Sequence, residues 1–316
     1  MILTVTLNTA VDVTYRLHRV HRHGSNRVRE VAERAGGKGI NVARILHAIG
    51  HESVVTGLAG GVTGATVRAD LAASGLRDEL MTIDGHTRRT VAVAEDRDGD
   101  TTIYLEPGPV VTPEEWARFL VRYERLLGGA AAVVLSGSLP TGLPHDAYGL
   151  LVSLAKARRV PAVLDADGAA LRGGLPAGPA LVKPNAHELA TATGTTDPRA
   201  GAHTLLARGA LAVVASLGPD GLLATTPEGS WQARPPGKVH GNPTGAGDSA
   251  VAALTAGLVD DTPWPERLGQ AVALSAATVL APLAGSFDHA AYHRMLPLIQ
   301  VRPLDPTIPQ GESWPS

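Results

Sequence analysis

The stretch NPTGAGDS, residues 242–249, leads directly into an apolar segment, residues 250–259. The small residues in this stretch allow the backbone to approach a ligand closely. An apolar segment behind such a turn indicates a buried helix whose first amide groups are unpaired, and a helix N-terminus of this kind binds anions. The stretch therefore predicts a site for an anionic group at the start of a buried helix, as found in α/β proteins.

Asp248 lies in the first turn of that predicted helix. The partial positive charge of a helix N-terminus favours the ionised form of a carboxyl group. An ionised carboxylate beside an anion site is able to accept a proton from an attacking hydroxyl group. The pattern is typical of phosphoryl transfer, with Asp248 as the catalytic base and Gly245, Ala246 and Gly247 as the anion cradle. The alternative is that Asp248 only caps a helix behind a tight turn.

A second glycine-rich loop, AGGKGINVA at residues 35–43, also opens a predicted helix. Its Asn41 is able to donate and accept hydrogen bonds, as a sugar hydroxyl group requires. Its Lys38 is able to neutralise a phosphate that the substrate already carries. The loop lacks the Walker A spacing, and no GxGxxG follows the first strand, so neither nucleotide motif applies. Two separate glycine loops in one chain favour two ligands.

Short apolar runs along the chain are typical of buried parallel strands. Predicted helices lie between them, including residues 113–127, which begin with a capping box from Thr112 to Glu115. Asp197 followed by Pro198 predicts another helix start. This alternation indicates a doubly wound, mostly parallel sheet with helices on both faces. The predicted strands are Ile2–Leu7, Val54–Leu58, Ala131–Leu135, Ala162–Leu164, Ala180–Val182 and Ala212–Ser216.

Two segments are too polar for the centre of such a sheet. Residues 11–34 alternate apolar and polar side chains around a turn near Gly24. Residues 88–106 form a predicted hairpin whose turn lies at Asp98 and Gly99. We expect these segments to form a small separate β-sheet that acts as a lid or an interface.

The bulk properties of the chain bound the class of protein. Its 316 residues, 44% of them hydrophobic, are enough for one α/β domain, which we place at residues 1–301, before a flexible tail, residues 302–316. The net charge of -2 gives no sequence-wide attraction to nucleic acid or an anionic membrane. The absence of cysteine excludes disulfides and thiolate chemistry. Without a secretory signal or a membrane-length apolar run, we expect a cytoplasmic protein.

Five motifs follow one another along the chain: GGKGINVA (36–43), SGSLP (136–140), KPNAHEL (183–189), SLG (216–218) and TGAGDS (244–249). Together they resemble the motifs of the PfkB, or ribokinase-type, carbohydrate kinases, in the branch that contains 1-phosphofructokinase and tagatose-6-phosphate kinase. The resemblance extends from about Leu3 to about Leu283. It implies a ribokinase-like fold, ATP and Mg²⁺ as cofactors, and a phosphorylated ketohexose as substrate.

The resemblance also implies roles for individual residues. Asn185 and Glu188 match a motif that organises Mg²⁺ and phosphate, through water, which agrees with the oxygen ligands and retained waters that magnesium prefers. The lid segments of this family usually form a dimer interface, so a homodimer through the β-lid is expected. Thr90 stands where the family usually has asparagine. The implied substrate-binding residues are Asp12, Gly37, Lys38, Asn41, Arg88 and Ser138, and the implied ATP-binding residues are Lys183, Asn185, Glu188, Ser216, Gly218 and Gly221.

The expected reaction transfers the γ-phosphoryl group of ATP to a primary hydroxyl group and gives a 1,6-bisphosphate. Fructose 1-phosphate, fructose 6-phosphate and tagatose 6-phosphate all fit, because each places a hydroxyl group and a phosphate at opposite ends of a similar chain. A kinase of an unphosphorylated sugar or nucleoside is one alternative, but such a substrate does not need the cationic pair Lys38 and Arg88. A ligand-sensing protein without catalysis is another, and the intact Asp248 argues against it.

Overall fold

The computed structural model describes residues 1–97 and 101–304 of the chain. Strands and helices alternate along most of this length. The strands are β1 (Ile2–Thr6), β2 (Ala10–Leu17), β3 (Glu30–Gly36), β4 (Ser53–Gly60), β5 (Arg77–Ile83), β6 (Arg88–Glu95), β7 (Thr101–Leu105), β8 (Ala132–Ser136), β9 (Ala162–Asp165), β10 (Leu181–Val182), β11 (Val213–Ser216), β12 (Leu222–Thr226), β13 (Gly229–Arg234) and β14 (Gln300–Pro303). The helices are α1 (Lys38–Ala48), α2 (Gly61–Ala73), α3 (Pro113–Leu127), α4 (Ala147–Ala157), α5 (Gly168–Gly174), α6 (Ala186–Thr193), α7 (Pro198–Ala207), α8 (Ala246–Val259), α9 (Trp264–Val279) and α10 (His289–Met295).

A large sheet of ten strands forms the centre of the molecule, in the order β14-β13-β12-β11-β10-β9-β8-β1-β4-β5. The strands from β11 to β5 in this order pair in parallel, and β12, β13 and β14 extend the sheet in antiparallel pairs. The six strands predicted from apolar runs all lie in the parallel part. The prediction of a doubly wound, mostly parallel α/β sheet is therefore confirmed.

Both faces of the large sheet are covered by apolar side chains. Within β1, Leu3 and Val5 pack into one cluster, whereas Ile2 packs into another on the opposite face. The second cluster contains much of α8, from Ala250 to Leu254, which is buried between the sheet and its neighbouring helices. The small side chains of α8 allow this close packing. As a result, the helix is held rigidly, and its N-terminal end has a fixed position at the edge of the sheet.

A second sheet has four strands in the order β3-β2-β6-β7, and none of them pairs with a strand of the large sheet within the described residues. The small separate sheet predicted from the polar segments is thus present. Its last strand is exposed along its whole length, including the large side chains of Ile103, Tyr104 and Leu105. The hairpin turn that we predicted at Asp98 and Gly99 lies outside the described residues.

The predicted helix starts match the structure in detail. Thr112 and Glu115 form a reciprocal capping box at the start of α3, and the side chain of Asp197 accepts hydrogen bonds from the first amides of α7. The C-terminal end differs from expectation, because Arg302 and Pro303, which we placed in the tail, belong to β14. The tail from residue 305 onward lies outside the described residues. None of the helices in the described ranges has the length and hydropathy that a bilayer span requires.

Candidate active site

A cavity of about 1000 Å³ lies at one edge of the large sheet. Residues at or just after the carboxyl ends of β9, β10 and β11 line it, which is where open α/β sheets bind ligands. Nearly all site residues predicted from sequence meet there: Asp12, Gly37, Lys38, Asn41, Arg88, Lys183, Asn185, Glu188, Ser216, Gly218, Gly221, Gly245, Ala246, Gly247 and Asp248.

The N-terminal end of α8 forms the floor of this cavity. Gly245 precedes the helix in a left-handed conformation, with φ of 86°, which a residue with a side chain rarely adopts. No side chain caps this end of the helix. The amide of Ala246, one of the groups predicted to form the anion cradle, donates to the carbonyl oxygen of Pro243 at 3.2 Å. The amides of Gly245, Gly247 and Asp248 form no hydrogen bond within the described residues and are available as donors.

Asp248 lies in the first turn of α8 with only 7% of its surface exposed. The Nδ2 atom of Asn41 donates to its Oδ2 at 2.8 Å. Burial, followed by the negative charge of Asp165, raises the pKa of Asp248 to about 7, against the opposing effects of Asn41, Lys38 and Lys183. The helix N-terminus led us to expect a readily ionised carboxyl group. Burial and the charge of Asp165 act in the opposite direction, and a carboxyl group whose pKa is raised toward neutral pH suits a general base.

Asp165 is the main site residue that sequence analysis missed. Its side chain is 1% exposed and lies 3.4 Å from Nζ of Lys38 and 3.5 Å from Nζ of Lys183. Burial disfavours the charge of Lys38, but the carboxylates of Asp165, Asp248 and Glu188 hold its pKa above the usual range. The signal was available in the sequence, because Asp165 directly follows a predicted parallel strand. The two lysines and Asp165 form a charged cluster beside the start of α8.

The small sheet supplies the opposite side of the cavity. Burial raises the pKa of Asp12, whereas a hydrogen bond with Thr90 and the charge of Arg88 lower it. A Cβ atom at Gly36 would lie 2.1 Å from Cγ of Asp12, so only glycine leaves room for this carboxylate. Burial lowers the pKa of Arg88, and Asp12 is the first of two carboxylates that raise it. Asp12 and Arg88 thus place a second set of opposite charges on the small sheet.

Ser138 is the one predicted site residue that does not line the cavity, among the residues that the structure describes. Its Oγ accepts a hydrogen bond from Nδ2 of Asn8 at 3.0 Å. The backbone oxygen of Asn8 in turn accepts from Nε of Arg88 at 3.3 Å. In this structure Ser138 therefore supports the position of Arg88 through Asn8 and does not face the cavity itself.

Asn185 and Glu188 form a reciprocal capping box at the start of α6. The amide of Asn185 donates to Glu188 Oε2, and the amide of Glu188 donates to Asn185 Oδ1, both at 2.8 Å. Glu188 Oε1 forms no hydrogen bond within the described residues, and it leaves one oxygen for a hydrated cation. No group of three or more acidic or histidine side chains that could hold a metal occurs in the described ranges. The donor set fits a magnesium ion that keeps most of its waters.

The remaining wall of the cavity is built from backbone and short side chains. A bridge joins Asn185 to Ser216, and both Gly218 and Gly221 have positive φ values, of 61° and 81°. A Cβ atom at Gly221 would lie 2.0 Å from the carbonyl oxygen of Ala233. This wall also contains residues that sequence analysis did not single out, among them Lys238, Val239 and His240.

Comparison with known proteins gives a consistent result. The pattern of the pfkB family of carbohydrate kinases matches residues 4–290. Escherichia coli phosphofructokinase-2, in its tetrameric inhibited form, shares 29% identity, with a TM-score of 0.88 over 94% of this chain and 98% of that chain. The same Escherichia coli protein in complex with fructose-6-phosphate gives a TM-score of 0.86, with the same identity and coverage. A Thermotoga maritima protein described as a "possible 1-phosphofructokinase" gives 26% identity and a TM-score of 0.86, over 96% of this chain and 99% of that chain.

Proposed function

The chain belongs to the pfkB family of carbohydrate kinases, and from this premise we propose that it is an ATP-dependent kinase of a ketohexose phosphate, with Asp248 as the catalytic base. The observation that supports the proposal most is the position of Asp248. It lies buried at the head of α8, beside unpaired amides, in a cavity with cationic groups in two separate places. Similarity to phosphofructokinases of two organisms supports a sugar that already carries a phosphate.

The proposed reaction is a direct transfer between two oxygen atoms. Asp248 takes the proton of a primary hydroxyl group while the hydroxyl oxygen attacks the γ-phosphorus of ATP. The bond between the γ-phosphorus and the bridging oxygen breaks, ADP leaves, and the sugar becomes a 1,6-bisphosphate. The amides of Gly247 and Asp248 stabilise the charge on the transferred group, because they are unpaired donors at a helix N-terminus that lines the cavity.

The two sets of charged groups would bind opposite ends of the substrate. Arg88 lies on β6 of the small sheet, opposite Ala10 of β2 and close enough to Asp12 to affect its pKa, and is placed to bind the phosphate that the sugar already carries. Lys38 lies beside Asp165 and close enough to Asp248 to affect its pKa, at the transfer end of the cavity. Lys38, which we expected to hold the substrate phosphate, is therefore better placed to neutralise the transferred group.

The cofactor of the proposed reaction is Mg²⁺. Asn185 and Glu188 would hold it through water molecules, with Glu188 Oε1 as the free oxygen. When bound, the ion neutralises charge on the phosphate groups of ATP. The capping box fixes both side chains, so the protein would present a preformed contact for the hydrated ion.

The test of this function is a comparison of kcat/KM for fructose 1-phosphate, fructose 6-phosphate and tagatose 6-phosphate with ATP. We expect kcat/KM for at least one of these phosphosugars to exceed kcat/KM for the corresponding free sugar by a factor of roughly 10² or more. The reason is that a charged hydrogen bond to a phosphate contributes about 1.5–3 kcal/mol, and more than one such bond is available. Equal use of free and phosphorylated sugars would favour a kinase of unphosphorylated sugars. Ligand binding without ADP release for any of them would favour a sensing protein.

Replacing Arg88 with methionine is expected to raise the KM for the phosphosugar by roughly 10–100-fold and to leave the KM for ATP nearly unchanged. The physical reason is the loss of one half-buried charged donor, worth about 1.5–3 kcal/mol. Steady-state kinetics with each substrate varied in turn measures both values. Arg89→Met is the matched control, because Arg89 is the next residue on β6 but is exposed and pairs with Glu106 at 3.8 Å. Similar effects of the two substitutions would argue against Arg88 as the phosphate ligand.

The proposed homodimer would form through the exposed strand β7, where Ile103, Tyr104 and Leu105 present apolar surface. Leu105→Glu places a charge in such an interface and is expected to weaken dimerisation at least tenfold, because burying an unpaired carboxylate is costly. Light scattering coupled to size exclusion at several concentrations measures this. Val121→Glu, at an exposed site on α3, is the control. A monomeric wild-type protein at micromolar concentration would contradict the dimer.

A further inference from the structure

Arg34 of β3 connects the small sheet to a part of the chain 250 residues further on. Its Nη1 atom donates to the carbonyl oxygen of Ala284 at 2.9 Å. In the small sheet, Arg34 lies opposite Asp12 of β2, the residue assigned to the sugar. Arg34 is half-buried and, unlike Asp12, is not among the described residues that line the cavity. Its guanidinium group therefore holds protein backbone and does not face the ligand.

The segment that Arg34 holds lies directly behind the catalytic groups. Residues 282–286, here called the backing segment, follow α9 and precede α10. A Cβ atom built on Gly245 lies 3.0 Å from Cα of Ala284, so the backing segment touches the first residue of the anion cradle. A Cβ atom built on Gly285 lies 3.0 Å from Oδ1 of Asn41, whose amide nitrogen binds Asp248. The backing segment thus fixes the position of groups on both sides of the catalytic carboxylate.

The backing segment has little structure of its own to hold it in place. Within the described residues, its other hydrogen bond is internal, from Oγ of Ser286 to the carbonyl oxygen of Leu283 at 2.6 Å. A segment with few backbone hydrogen bonds opens locally at low free-energy cost. The bond from Arg34 is the one described hydrogen bond that ties this segment to another part of the fold.

The backbone next to Arg34 is itself held by a partly buried ion pair. The backbone amide of Ala35, its neighbour, donates to Oδ2 of Asp70 at 3.0 Å, and the same oxygen contacts the guanidinium group of buried Arg44. Cδ of Arg44 lies 2.9 Å from a Cβ atom built on Gly285, so a second cation packs against the backing segment. Burial and then the charge of Arg44 lower the pKa of Arg34, whereas Asp70 and Asp12 raise it. The two arginines therefore enclose the segment from the side of the small sheet.

We propose that Arg34 is a positioning residue for phosphoryl transfer, which ties the segment behind the anion cradle to the sheet that carries the sugar-binding carboxylate. This inference rests on the kinase function proposed above. Stabilisation of a transition state depends on donors held within a fraction of an ångström of their target. Loss of the bond from Arg34 therefore lowers kcat, while the ground-state binding of each substrate is kept.

The test is the variant Arg34→Met. We expect kcat to fall by about tenfold, because one hydrogen bond that positions the catalytic groups is lost. The KM values for ATP and phosphosugar should stay within about threefold of the wild-type values. In calorimetric titrations, ADP with aluminium fluoride, which mimics the transferred group, should bind about tenfold more weakly, whereas ADP alone should bind equally well. This second readout does not depend on the active fraction, as kcat does. Arg34→Lys should recover most of the loss, because an ammonium group is also able to donate to the carbonyl oxygen of Ala284.

The matched control is Arg16→Met. Arg16 lies on β2 and pairs with Glu30 of β3 at 3.7 Å on the exposed part of the same two strands. This variant should match the wild type in kcat and in aluminium fluoride binding. The Arg34→Met variant is expected to fold, because removing the guanidinium group also relieves its repulsion from Arg44. If the thermal midpoint of this variant falls steeply, Arg34→Gln gives the same comparison with a smaller change in polarity.

Two results would overturn the role of Arg34. A rise in the KM for the phosphosugar alone, with kcat kept, would make Arg34 a direct ligand of the sugar. Unchanged kcat together with unchanged aluminium fluoride binding would mean that the backing segment is held without it. Failure of the proposed function is a separate outcome, because the wild-type protein would then phosphorylate none of the ketohexose phosphates, whereas the titrations with ADP and aluminium fluoride need no turnover.

Discussion

Replacing Asp248 with asparagine is expected to lower kcat by roughly 10²–10⁴-fold, while the KM values for ATP and phosphosugar change only a few-fold. Asparagine keeps the size of the side chain but has no oxygen that accepts a proton at neutral pH. Its amide oxygen is still able to accept the hydrogen bond that Asn41 donates to Asp248 at 2.8 Å. The substitution therefore removes the base and leaves the surrounding geometry in place. Single-turnover and steady-state measurements of ADP release determine the change.

A carboxylate at the other end of the same helix serves as the control. Asp260 follows the last turn of α8 and lies 3.3 Å from Nε2 of His51, with about half of its side chain exposed. Asp260→Asn changes the charge of the helix by the same amount but lies far along the helix from the cavity. It should leave turnover within twofold of the wild type. Turnover by Asp248→Asn at the wild-type rate would remove Asp248 from the role of base.

The fold was predictable wherever one local rule decided an element. Six central strands are continuous apolar runs, and Thr112 and Asp197 mark the first turns of α3 and α7. The antiparallel strands β13 and β14 could not be recognised in this way, because their residues are partly exposed and polar and gain their structure from pairing at the sheet edge. An edge strand depends on a partner distant in sequence, and no local pattern specifies that partner.

The location of the site was predictable from its two glycine-rich loops. The residues of both loops line one cavity, but the sequence could not show that Nζ of Lys38 lies 3.4 Å from Asp165. Nor could it show that burial and the charge of Asp165 raise the pKa of Asp248. Ser138 belongs to a matching motif, yet its hydroxyl group accepts a hydrogen bond from Asn8, whose backbone oxygen accepts one from Arg88. These outcomes depend on contacts between segments at least 80 residues apart in the chain.

The value of kcat/KM is expected to fall about tenfold for each pH unit below pH 7 and to be constant above pH 7. Burial, together with the charge of Asp165, raises the pKa of Asp248 to about 7, and only the ionised carboxylate accepts the proton of the hydroxyl group. The profile of kcat/KM reports groups of the free enzyme, which is the state that the structure describes. Initial rates at low substrate concentration from pH 5 to 9 measure it. A flat wild-type profile between pH 5 and 7 would contradict the raised pKa.

The residual activity of Asp248→Asn is the control for this profile. A sugar phosphate also ionises, with a second pKa of about 6, and its titration would persist in the variant. The limb that belongs to Asp248 should disappear. The difference between the two profiles therefore isolates the enzyme group from the substrate.

The stability of the fold should respond to pH in the opposite direction from the activity. Because the folded-state pKa of Asp248 lies above its ordinary value of 3.8, its protonated form stabilises the folded protein at acidic pH. That contribution is fully present below about pH 4 and is lost as the pH rises through about 7. Above pH 7 the wild-type protein keeps a buried carboxylate ionised at a cost on the order of 4 kcal/mol, which Asp248→Asn avoids. The variant should therefore have the higher thermal midpoint at pH 8 and nearly the same midpoint at pH 4.5, so the charge that catalysis requires is the one that the folded chain disfavours.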